Sequence, residues 1–520
     1  MLGACLFSGA WTTGSVQAEG VVSRAELGQA KPFSFEQVIK EAEALAAAPF
    51  ETPAQSPALD AVGDETPMRD QARLWAETDN GYRIRGLHRN RFRQTEVAVH
   101  EVASGEARPW TYRKSAFDYR DPATARDVPP DLGFGGIEIQ RSHAADDEGA
   151  DQTLLRISGE GFVYQPADGA VHGVSARLLL AEQNTRQPGE QTPFFRTIWI
   201  ERPANAEVPL VLYALIDAPG LTAAARLTVD PDDPDQLGVA VDLRVFLRED
   251  LSVLGMAALS SHFWYGENDR RMARDWRPEV HGSDGLAIIT GTGNRLWRPL
   301  INPPYPDDSL FSDVDPGGFG LLQRDRALNS YQDTQTAYHE LPDLWITALE
   351  DWGEGSVVLR ESHTETADID NVLAFWNPRP PADAGTRWRF AFRMDFGQAA
   401  QPPAEDLLEV IATRIGLAHY AGEPRDDGTL RLVIDMAPSR EGETPRAMEP
   451  EALVTTSRGS VEVVDLSRVV GSNQWRLMID LNASGRDPVD LSAQLAVDGV
   501  PVSETWLYRL HPGALTWLER

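Results

Sequence analysis

The first strong pattern along the chain is a run of apolar residues at helical spacing near the N-terminus. Ser34 and Gln37 have the spacing of a capping box, in which each side chain binds the backbone N–H of the other residue. Pro49 cannot continue a helix, so we predict one helix that begins after Ser34, ends before Pro49 and packs on the body of the protein. Its apolar face consists of Phe35, Val38, Ile39, Ala42 and Leu45.

From residue 81 to 396 the pattern changes to short runs that are rich in β-branched and aromatic residues. Clusters of Gly, Pro, Asn and Asp separate these runs, as turns separate strands. The clearest runs are 97–100, 197–200 and 211–215. The pattern predicts a large antiparallel all-β domain, to which we assign residues 19–397.

A second series of strands follows a change in composition. Residues 398–405 contain two adjacent prolines and are typical of a linker, and residues 406–415 suggest a short helix, so 398–428 is assigned as a linker with a short helix. Residues 429–520 hold further short strands, which suits an immunoglobulin-like β-sandwich. The runs that indicate this domain are 430–434, 460–464, 475–479 and 493–497.

The chain is strongly acidic, with 48 Lys and Arg residues against 79 Asp and Glu residues and a net charge of −31. Such a surface repels phosphate backbones and anionic lipids, so nucleic-acid binding and electrostatic membrane binding are excluded as main functions. Beyond the first twenty residues no apolar run approaches the ~18 residues needed for a membrane span. We therefore expect a mature chain that does not span a membrane.

The first eighteen residues carry no charge and end in Val16-Gln17-Ala18, which fits the small-x-Ala rule for signal-peptide cleavage. Residues 1–18 are therefore predicted to be a signal peptide, although the usual positive n-region is missing and translation would then start upstream. Its removal would take away Cys5, the one cysteine of the chain. A cysteine-free mature chain suits an oxidising compartment, and the periplasm is the predicted location.

Several common kinds of site are absent from the sequence. The histidines are dispersed without metal-ligand spacing, so no metal site is predicted. Gly291-Thr292-Gly293 stands among strands without a following helix and is a turn rather than a phosphate-binding loop. The Gly-x-Ser-x-Gly motif of serine hydrolases does not occur.

Residues 262–376 combine tryptophan and tyrosine with aspartate, glutamate and arginine. Aromatic faces stack on sugar C–H groups, whereas carboxylates and arginines bind hydroxyls, so this composition points to a carbohydrate cleft. Paired carboxylates could also protonate a glycosidic oxygen and activate water. The structural alternative is that the aromatic residues form core and the acidic residues form turns.

Long motifs in this region closely resemble the periplasmic glucan biosynthesis proteins called MdoG/OpgG and MdoD/OpgD. The resemblance is collinear and covers nearly the whole mature chain. The motifs are 262–268 (HFWYGEN), 275–281 (DWRPEVH), 297–300 (WRPL), 318–326 (GFGLLQRDR), 331–333 (YQD), 351–355 (DWGEG) and 370–376 (DNVLAFW).

The resemblance implies an N-terminal β-sandwich of the galactose-mutarotase type joined to an immunoglobulin-like β-sandwich. It implies a role in making or trimming osmoregulated periplasmic glucans, with β-1,2-glucan as partner, the inner-membrane glucan synthase as a further candidate partner, and no metal or organic cofactor. Some members are similar to inverting endo-β-1,2-glucanases or transglycosylases. The competing hypothesis is that the protein is a glucan-binding or assembly factor without catalytic activity.

Carried onto this chain, the Asp-Asn motif places a candidate catalytic carboxylate at Asp370, and Tyr338 falls on an aromatic position that could belong to a proton relay. Two departures matter. Family members typically read His-Asp-Ser-Asp-Gly where this chain reads HGSDG, so Gly282 stands in place of an acid. The Glu-Thr-x-Asp pattern before Asp370 is also displaced, which leaves Asp284 and Asp368 as candidates for the second carboxylate.

The remaining candidates would contact substrate. Each has a structural alternative: the aromatic rings could be core or hairpin packing, and the arginines could be buried partners of acids. The candidates for substrate binding are Trp264, Tyr265, Trp276, Arg277, His281, Trp297, Arg298, Arg324 and Trp352.

Overall fold

The computed structural model describes most of the chain after residue 23. The predicted signal segment 1–18 lies outside the described residues. These are 24–53, 59, 62, 66–78, 80–142, 151–166, 173–183, 190–230, 236–380, 382–403, 407–420, 423–424, 428–439, 449–483 and 485–517.

Strands dominate the structure, as the alternation of the sequence predicted. The strands before residue 266 are β1 (Lys31–Pro32), β2 (Tyr82–His88), β3 (Ala98–Ala103), β4 (Glu106–Pro109), β5 (Phe134–Arg141), β6 (Gln152–Ser158), β7 (Phe162–Tyr164), β8 (Ser175–Gln183), β9 (Glu190–Gln191), β10 (Phe194–Glu201), β11 (Leu210–Asp217), β12 (Leu221–Asp230), β13 (Leu237–Leu247), β14 (Leu251–Ser261) and β15 (Phe263–Tyr265).

The second half of the chain continues in the same way. Its strands are β16 (Val280–His281), β17 (Gly285–Ile289), β18 (Arg295–Pro299), β19 (Asp307–Val314), β20 (Gly318–Leu322), β21 (Asp343–Ala348), β22 (Glu354–Glu361), β23 (Val372–Pro378), β24 (Arg387–Gly397), β25 (Leu408–Leu417), β26 (His419–Tyr420), β27 (Glu423–Pro424), β28 (Leu430–Pro438), β29 (Glu451–Thr456), β30 (Ser460–Arg468), β31 (Trp475–Asn482), β32 (Val489–Val497), β33 (Val500–Pro501) and β34 (Thr505–Leu510).

Helices are short and few among the described residues. The α-helices are α1 (Phe35–Ala46), α2 (Pro122–Asp127) and α3 (Leu328–Tyr331), and 3-10 turns occupy Asp70–Ala72, Lys114–Ala116, Tyr338–Glu340 and Pro512–Trp517. Within the described part of the chain, none of these helices has the length and apolar character needed to cross a bilayer.

Two large sheets form the body of the molecule. Sheet I runs β1-β4-β3-β10-β11-β12-β13-β24-β21-β20-β17-β18-β34-β32-β29, with β33 beside β32, and sheet II runs β19-β22-β23-β14-β8-β7-β6-β5-β2, with β9 beside β8. Their inner faces share one apolar core, in which Val239 and Leu243 of β13 belong with Leu179 of β8 and Trp376 of β23. The predicted β-sandwich is therefore confirmed.

Helix α1 confirms the prediction made from its capping box. The Ser34 side chain accepts from the Gln37 N–H, and the Gln37 side chain accepts from the Ser34 N–H at 2.9 Å. Val38 and Ala42 are buried against the outer side of sheet I, and Thr222 of β12 donates a hydrogen bond of 2.6 Å to the Ala42 carbonyl. The helix thus covers the face of sheet I that looks away from sheet II.

The predicted short helix at 406–415 is wrong. Residues 408–417 form strand β25, which pairs with β28 and belongs to sheet III, β25-β28-β31-β30. A β-bulge between Val410 and Ala412 shifts the apolar alternation by one residue, and this produces a spacing that resembles a helix. Pairing with β28 decides the structure, and the segment assigned as a linker supplies a strand to the C-terminal body.

The two bodies are joined by main-chain hydrogen bonds. Strand β18 pairs in parallel with β34, so that Trp297 lies beside Trp506, and sheet I therefore continues from one body into the other. Sheet III packs on the C-terminal strands of sheet I, with Leu432 and Ile479 in one core with Leu491. The domain boundaries themselves stay a prediction.

Candidate functional site

Asp370 lies at the end of sheet II, two residues before β23 begins, and its side chain is exposed. Its carboxylate accepts a hydrogen bond of 3.3 Å from the Ser260 hydroxyl of β14, whose oxygen is also 3.3 Å from the Ser175 oxygen of β8. Arg177 of β8 adds a positive charge near Asp370. The next residue, Asn371, is buried and donates to the carbonyl oxygens of Phe263 and Ser362, which fixes the backbone here.

An aromatic cluster lies beside this edge. The ring of Tyr338 lies 5.6 Å from the ring of His262 and 5.7 Å from that of Tyr331. Ala367 and Trp264 pack against the same cluster, which places the loop before Asp370 on the Tyr338 side. Asp368, in this loop, is exposed, and the Thr366 hydroxyl holds the pKa of its carboxyl below the usual value.

An ion-paired arginine continues the surface beyond Tyr338. Arg277 donates to Asp275 at 2.6 Å and to Asp333 at 3.1 Å. The buried Tyr265 donates its hydroxyl to Asp275 at 2.6 Å, and although burial opposes it, Arg277 and Tyr265 lower the pKa of Asp275 to about 2. Trp276 projects into solvent with 70% of its surface exposed. These side chains combine an exposed aromatic ring with polar groups held in place by ion pairs.

A second group of acids, buried or half-buried, lies under the aromatic cluster at the contact with the C-terminal body. We call Glu267, Glu279, His281, Asp284 and Asp325 the acid–histidine cluster. His281 Nδ1 lies 3.0 Å from the Gln323 side-chain oxygen, and its Nε2 lies 2.9 Å from Glu279 and 3.3 Å from Asp284.

Protonation of the cluster follows from burial and crowding. Burial alone would lower the pKa of His281, but Asp284 and Glu279 raise it to about 9. Burial and the charges of Glu279, Asp325 and Asp284 raise the pKa of Glu267 to about 9. Burial and the charges of Asp284 and Glu279 raise the pKa of Asp325 to about 7. The cluster thus holds protons at neutral pH, because its carboxylates cannot all ionise in so small a volume.

Ligand-type atoms of this cluster are also close enough for a cation. Those of Glu279, His281 and Asp284 lie within 4.8 Å of one another, as do those of Glu267, Glu279 and Asp325. The imidazolium of His281 and the nearby guanidinium of Arg414 already supply positive charge. We therefore assign no ion, and the expectation of a site without metal stays a prediction.

The two carboxylates that the sequence paired have different hydrogen-bond partners. Asp284 accepts hydrogen bonds from the backbone N–H groups of Arg324 and Asp325, which tie it into the cluster. Asp370 instead contacts Ser260 at the end of sheet II. The two backbone donors give Asp284 a structural role, and its pairing with Asp370 stays a prediction.

Besides Tyr265 and His281, four further candidates for substrate contact are buried or nearly buried. Trp352 is 5% exposed, packs near Trp376 and donates its indole N–H to the Ala391 carbonyl, so it offers no free face to a sugar. Arg298 pairs with Glu361, and both side chains are almost fully buried.

The other two lie at the contact between the bodies. Arg324 forms a two-pronged ion pair with the fully buried Glu504 of the C-terminal body. Its guanidinium also lies 3.6 Å from the ring centre of Trp297, which is buried. These residues correspond to the structural alternatives stated for the sequence.

Gly282 lies between the two groups of acids. A Cβ added there would come within 2.9 Å of the His262 ring and 3.1 Å of the Ser261 oxygen. In this chain the imidazole therefore occupies the space that a side chain at 282 would enter.

Sequence reasoning missed residues on both sides of Gly282. Ser175, Arg177 and Ser260 lie on strands far apart in sequence, and only the pairing of β8 with β14 brings them to Asp370. Glu267 and Asp325 stand inside motifs that the sequence analysis quoted, but nothing in the local pattern marks them as buried neighbours.

Comparison with known proteins identifies the family of the chain. The family model of the periplasmic glucan biosynthesis protein MdoG matches residues 33–510. The chain belongs to this family. It is 36% identical over 502 residues to glucans biosynthesis protein D 2 of Ralstonia nicotianae, covering 94% of this chain and 93% of that protein. It is 33% identical over 509 residues to glucans biosynthesis protein D of Xanthomonas campestris, covering 95% and 93%.

Membership confirms the resemblance and supports involvement in glucan biosynthesis, and the family's name implies the periplasm. The family match spans residues of both bodies.

Proposed function

We propose that this chain is exported to the periplasm and binds β-1,2-glucan on the surface that runs from Asp370 past Tyr338 to Arg277 and Trp276. The observation that carries the proposal is the exposed carboxylate of Asp370, held at a strand end by the Ser260 hydroxyl. Glucan supplied by an inner-membrane glucan synthase would reach this surface from solution.

The physical basis is the pairing of directed acceptors with an apolar ring. Asp370 can accept from sugar hydroxyls because its side chain is exposed, and the ion-paired Arg277 is fixed in orientation by Asp275 and Asp333. Trp276 offers a ring face of the kind on which sugar C–H groups stack. The negative net charge does not oppose a neutral polymer.

Processing of glucan is the second candidate function, as an inverting endo-β-1,2-glucanase or a transglycosylase. The exposed Asp370 favours it, because a solvent-facing carboxylate can act as general acid or base. Acid/base cleavage uses two carboxyl groups, and those of inverting enzymes stand about 6.5–9.5 Å apart. Asp284 is held in the acid–histidine cluster, so Asp368 of the loop before Asp370 is the carboxylate available for the second role.

The test is to incubate the mature protein with linear β-1,2-glucan, with products followed by chromatography and binding by calorimetry. Saturable binding that Asp370→Asn weakens, with no new products, supports a binding factor. Shorter or cyclised products that vanish in Asp370→Asn support the enzyme. Asp383→Asn, at an exposed loop before β24, is the control that should change neither readout. The absence of both binding and turnover would contradict the proposal.

A further inference from the structure

A second polar groove lies on the same face of sheet II as Asp370, at the other end of the strands. It encloses about 700 Å³, within the range of ~300–1,000 Å³ typical of ligand sites. Along β23, Val372, Ala374 and Trp376 point into the core, so the alternate residues Leu373 and Asn377 point outward. Asn377 lines the groove.

Short polar side chains cross the floor of this groove in register. Ser312 of β19, Ser356 of β22 and Asn377 of β23 stand opposite one another on three neighbouring strands. The two serine oxygens lie 3.1 Å apart. Small hydroxyls and an amide in a row can both donate and accept, which matches a neutral ligand with many hydroxyls.

The walls of the groove combine apolar residues with charged ones. Val314 and Pro380 line it, and Val314 is 52% exposed on the edge strand β19. Glu354 and Arg379, which also line it, form an ion pair of 2.8 Å. Asp313 also lines the groove and accepts hydrogen bonds from two backbone N–H groups, so the lining carries one net negative charge and does not suit an anion.

The ion pairs of Arg360 lie between this groove and the Asp370 end of the face. Arg360 of β22 stands opposite Leu373, between the two, and binds Asp308 of the edge strand β19. The same guanidinium binds Glu182 of β8, although β23 and β14 lie between β22 and β8. These ion pairs therefore cross the face between the groove and the Asp370 end.

We propose that the groove around Ser356 and Asn377 is a second carbohydrate site, which binds a stretch of the same glucan as the Asp370 end. This inference rests on the proposed function for the class of ligand. Seven residues of strand at ~3.3 Å each put Asp370 and Asn377 about 23 Å apart. A glucan long enough to span that distance would be held at both sites, and its second contact would be intramolecular.

The test compares short and long β-1,2-gluco-oligosaccharides by calorimetry on the full mature protein. Ser356→Trp fills the groove from an outward position, and Asn377→Ala is a milder variant in the same row. Ser460→Trp, at an exposed position of sheet III, controls for the added ring. Circular dichroism and the unfolding midpoint establish that each variant is folded.

The expected result is two short-oligosaccharide sites on the wild type and one on Ser356→Trp, with affinity for long glucan lowered at least about tenfold. Asn377→Ala should weaken the same site, and Ser460→Trp should change neither. A single site that Asp370→Asn weakens and that neither groove variant changes would overturn this inference and leave the proposed function standing. If no glucan binds the wild type, both fall.

Discussion

The acid–histidine cluster and the edge around Asp370 are built from similar residues and do different things. In the cluster, Glu267 accepts the Thr413 N–H of the C-terminal body at 2.9 Å and Glu279 contacts His281 at 2.9 Å, so the carboxylates are used inside the protein. At the edge, the Asp370 side chain is exposed, although its carboxylate accepts from Ser260. Surroundings, rather than residue type, decide which acid is available to a ligand.

The contrast also explains why the cluster matters to the edge. Gln323, whose oxygen faces His281, donates to the backbone carbonyl of Tyr338 at 3.3 Å. The ring of Tyr331 lies 5.2 Å from that of His281 and 5.7 Å from that of Tyr338. Through Gln323 and Tyr331, the cluster therefore positions the aromatic residues of the proposed glucan surface.

The largest effect is expected from breaking a buried charge pair at the rim of the cluster. Arg324→Ala leaves Glu504 buried without its partner, and such a loss costs about 3–5 kcal/mol of unfolding free energy. Arg379→Ala removes an exposed pair with Glu354 and should cost less than about 1 kcal/mol. Urea unfolding of the two variants measures the difference. Equal costs would contradict the burial seen for Arg324.

The cluster should also make the unfolding free energy depend on pH, with stability lost as the pH rises. The pKa of Glu267 rises from 4.5 to about 9 on folding, so between these values the folded protein binds a proton that the unfolded chain has lost. Its unfolding free energy therefore falls as pH rises. The stabilisation from His281, whose pKa rises from 6.5 to about 9, is complete below pH 6.5 and is lost in the same direction.

Glu267→Gln should remove the first contribution and make the slope shallower, by at most about 1.4 kcal/mol per pH unit. Urea unfolding of both proteins across this pH range tests it. Glu354→Gln, an exposed glutamate, is the control and should leave the slope unchanged. A wild-type stability that rises between pH 6.5 and 9 would contradict the assigned protonation.

Local patterns predicted what local forces decide. The capping box of Ser34 and Gln37 and the alternating strands need only neighbours along the chain, and both are found. Strand β25 needs its pairing with β28, because its bulge hides the alternation. The pattern alone therefore suggested a helix there.

The site was harder to predict because its contacts are distant in sequence. Arg298 finds Glu361 63 residues away, and Arg324 finds Glu504 180 residues away. Their motifs identified the family but could not separate buried partners from ligand contacts. The exposed candidates are Asp370 and Trp276, and Arg277 is partly exposed. Only the packing of their neighbours shows this.

The same substitution should separate the two candidate carboxylates. Asp284→Asn replaces a charged acceptor of two backbone N–H groups, so about 1–3 kcal/mol of unfolding free energy should be lost. Asp370→Asn changes an exposed side chain and should stay within about 0.5 kcal/mol of wild type, while weakening glucan binding. Thermal unfolding and calorimetry on both variants measure the two effects. A destabilised Asp370→Asn would indicate a structural role for that carboxylate.

The last effect is expected at Gly282, which lies where the two regions meet. In Gly282→Ala the new Cβ crowds the buried His262 ring and the Ser261 oxygen, and such overpacking costs about 1–3 kcal/mol. Gly282→Asp places a carboxylate beside His262 and Ser261, on the side of Asp370, and would supply the second acid that glycoside cleavage uses. Turnover of β-1,2-glucan that appears in Gly282→Asp, but not in Gly282→Ala, would show that this position sets the balance between binding and processing. Equal activity in both variants, with both folded, would show that the glycine is not what limits catalysis.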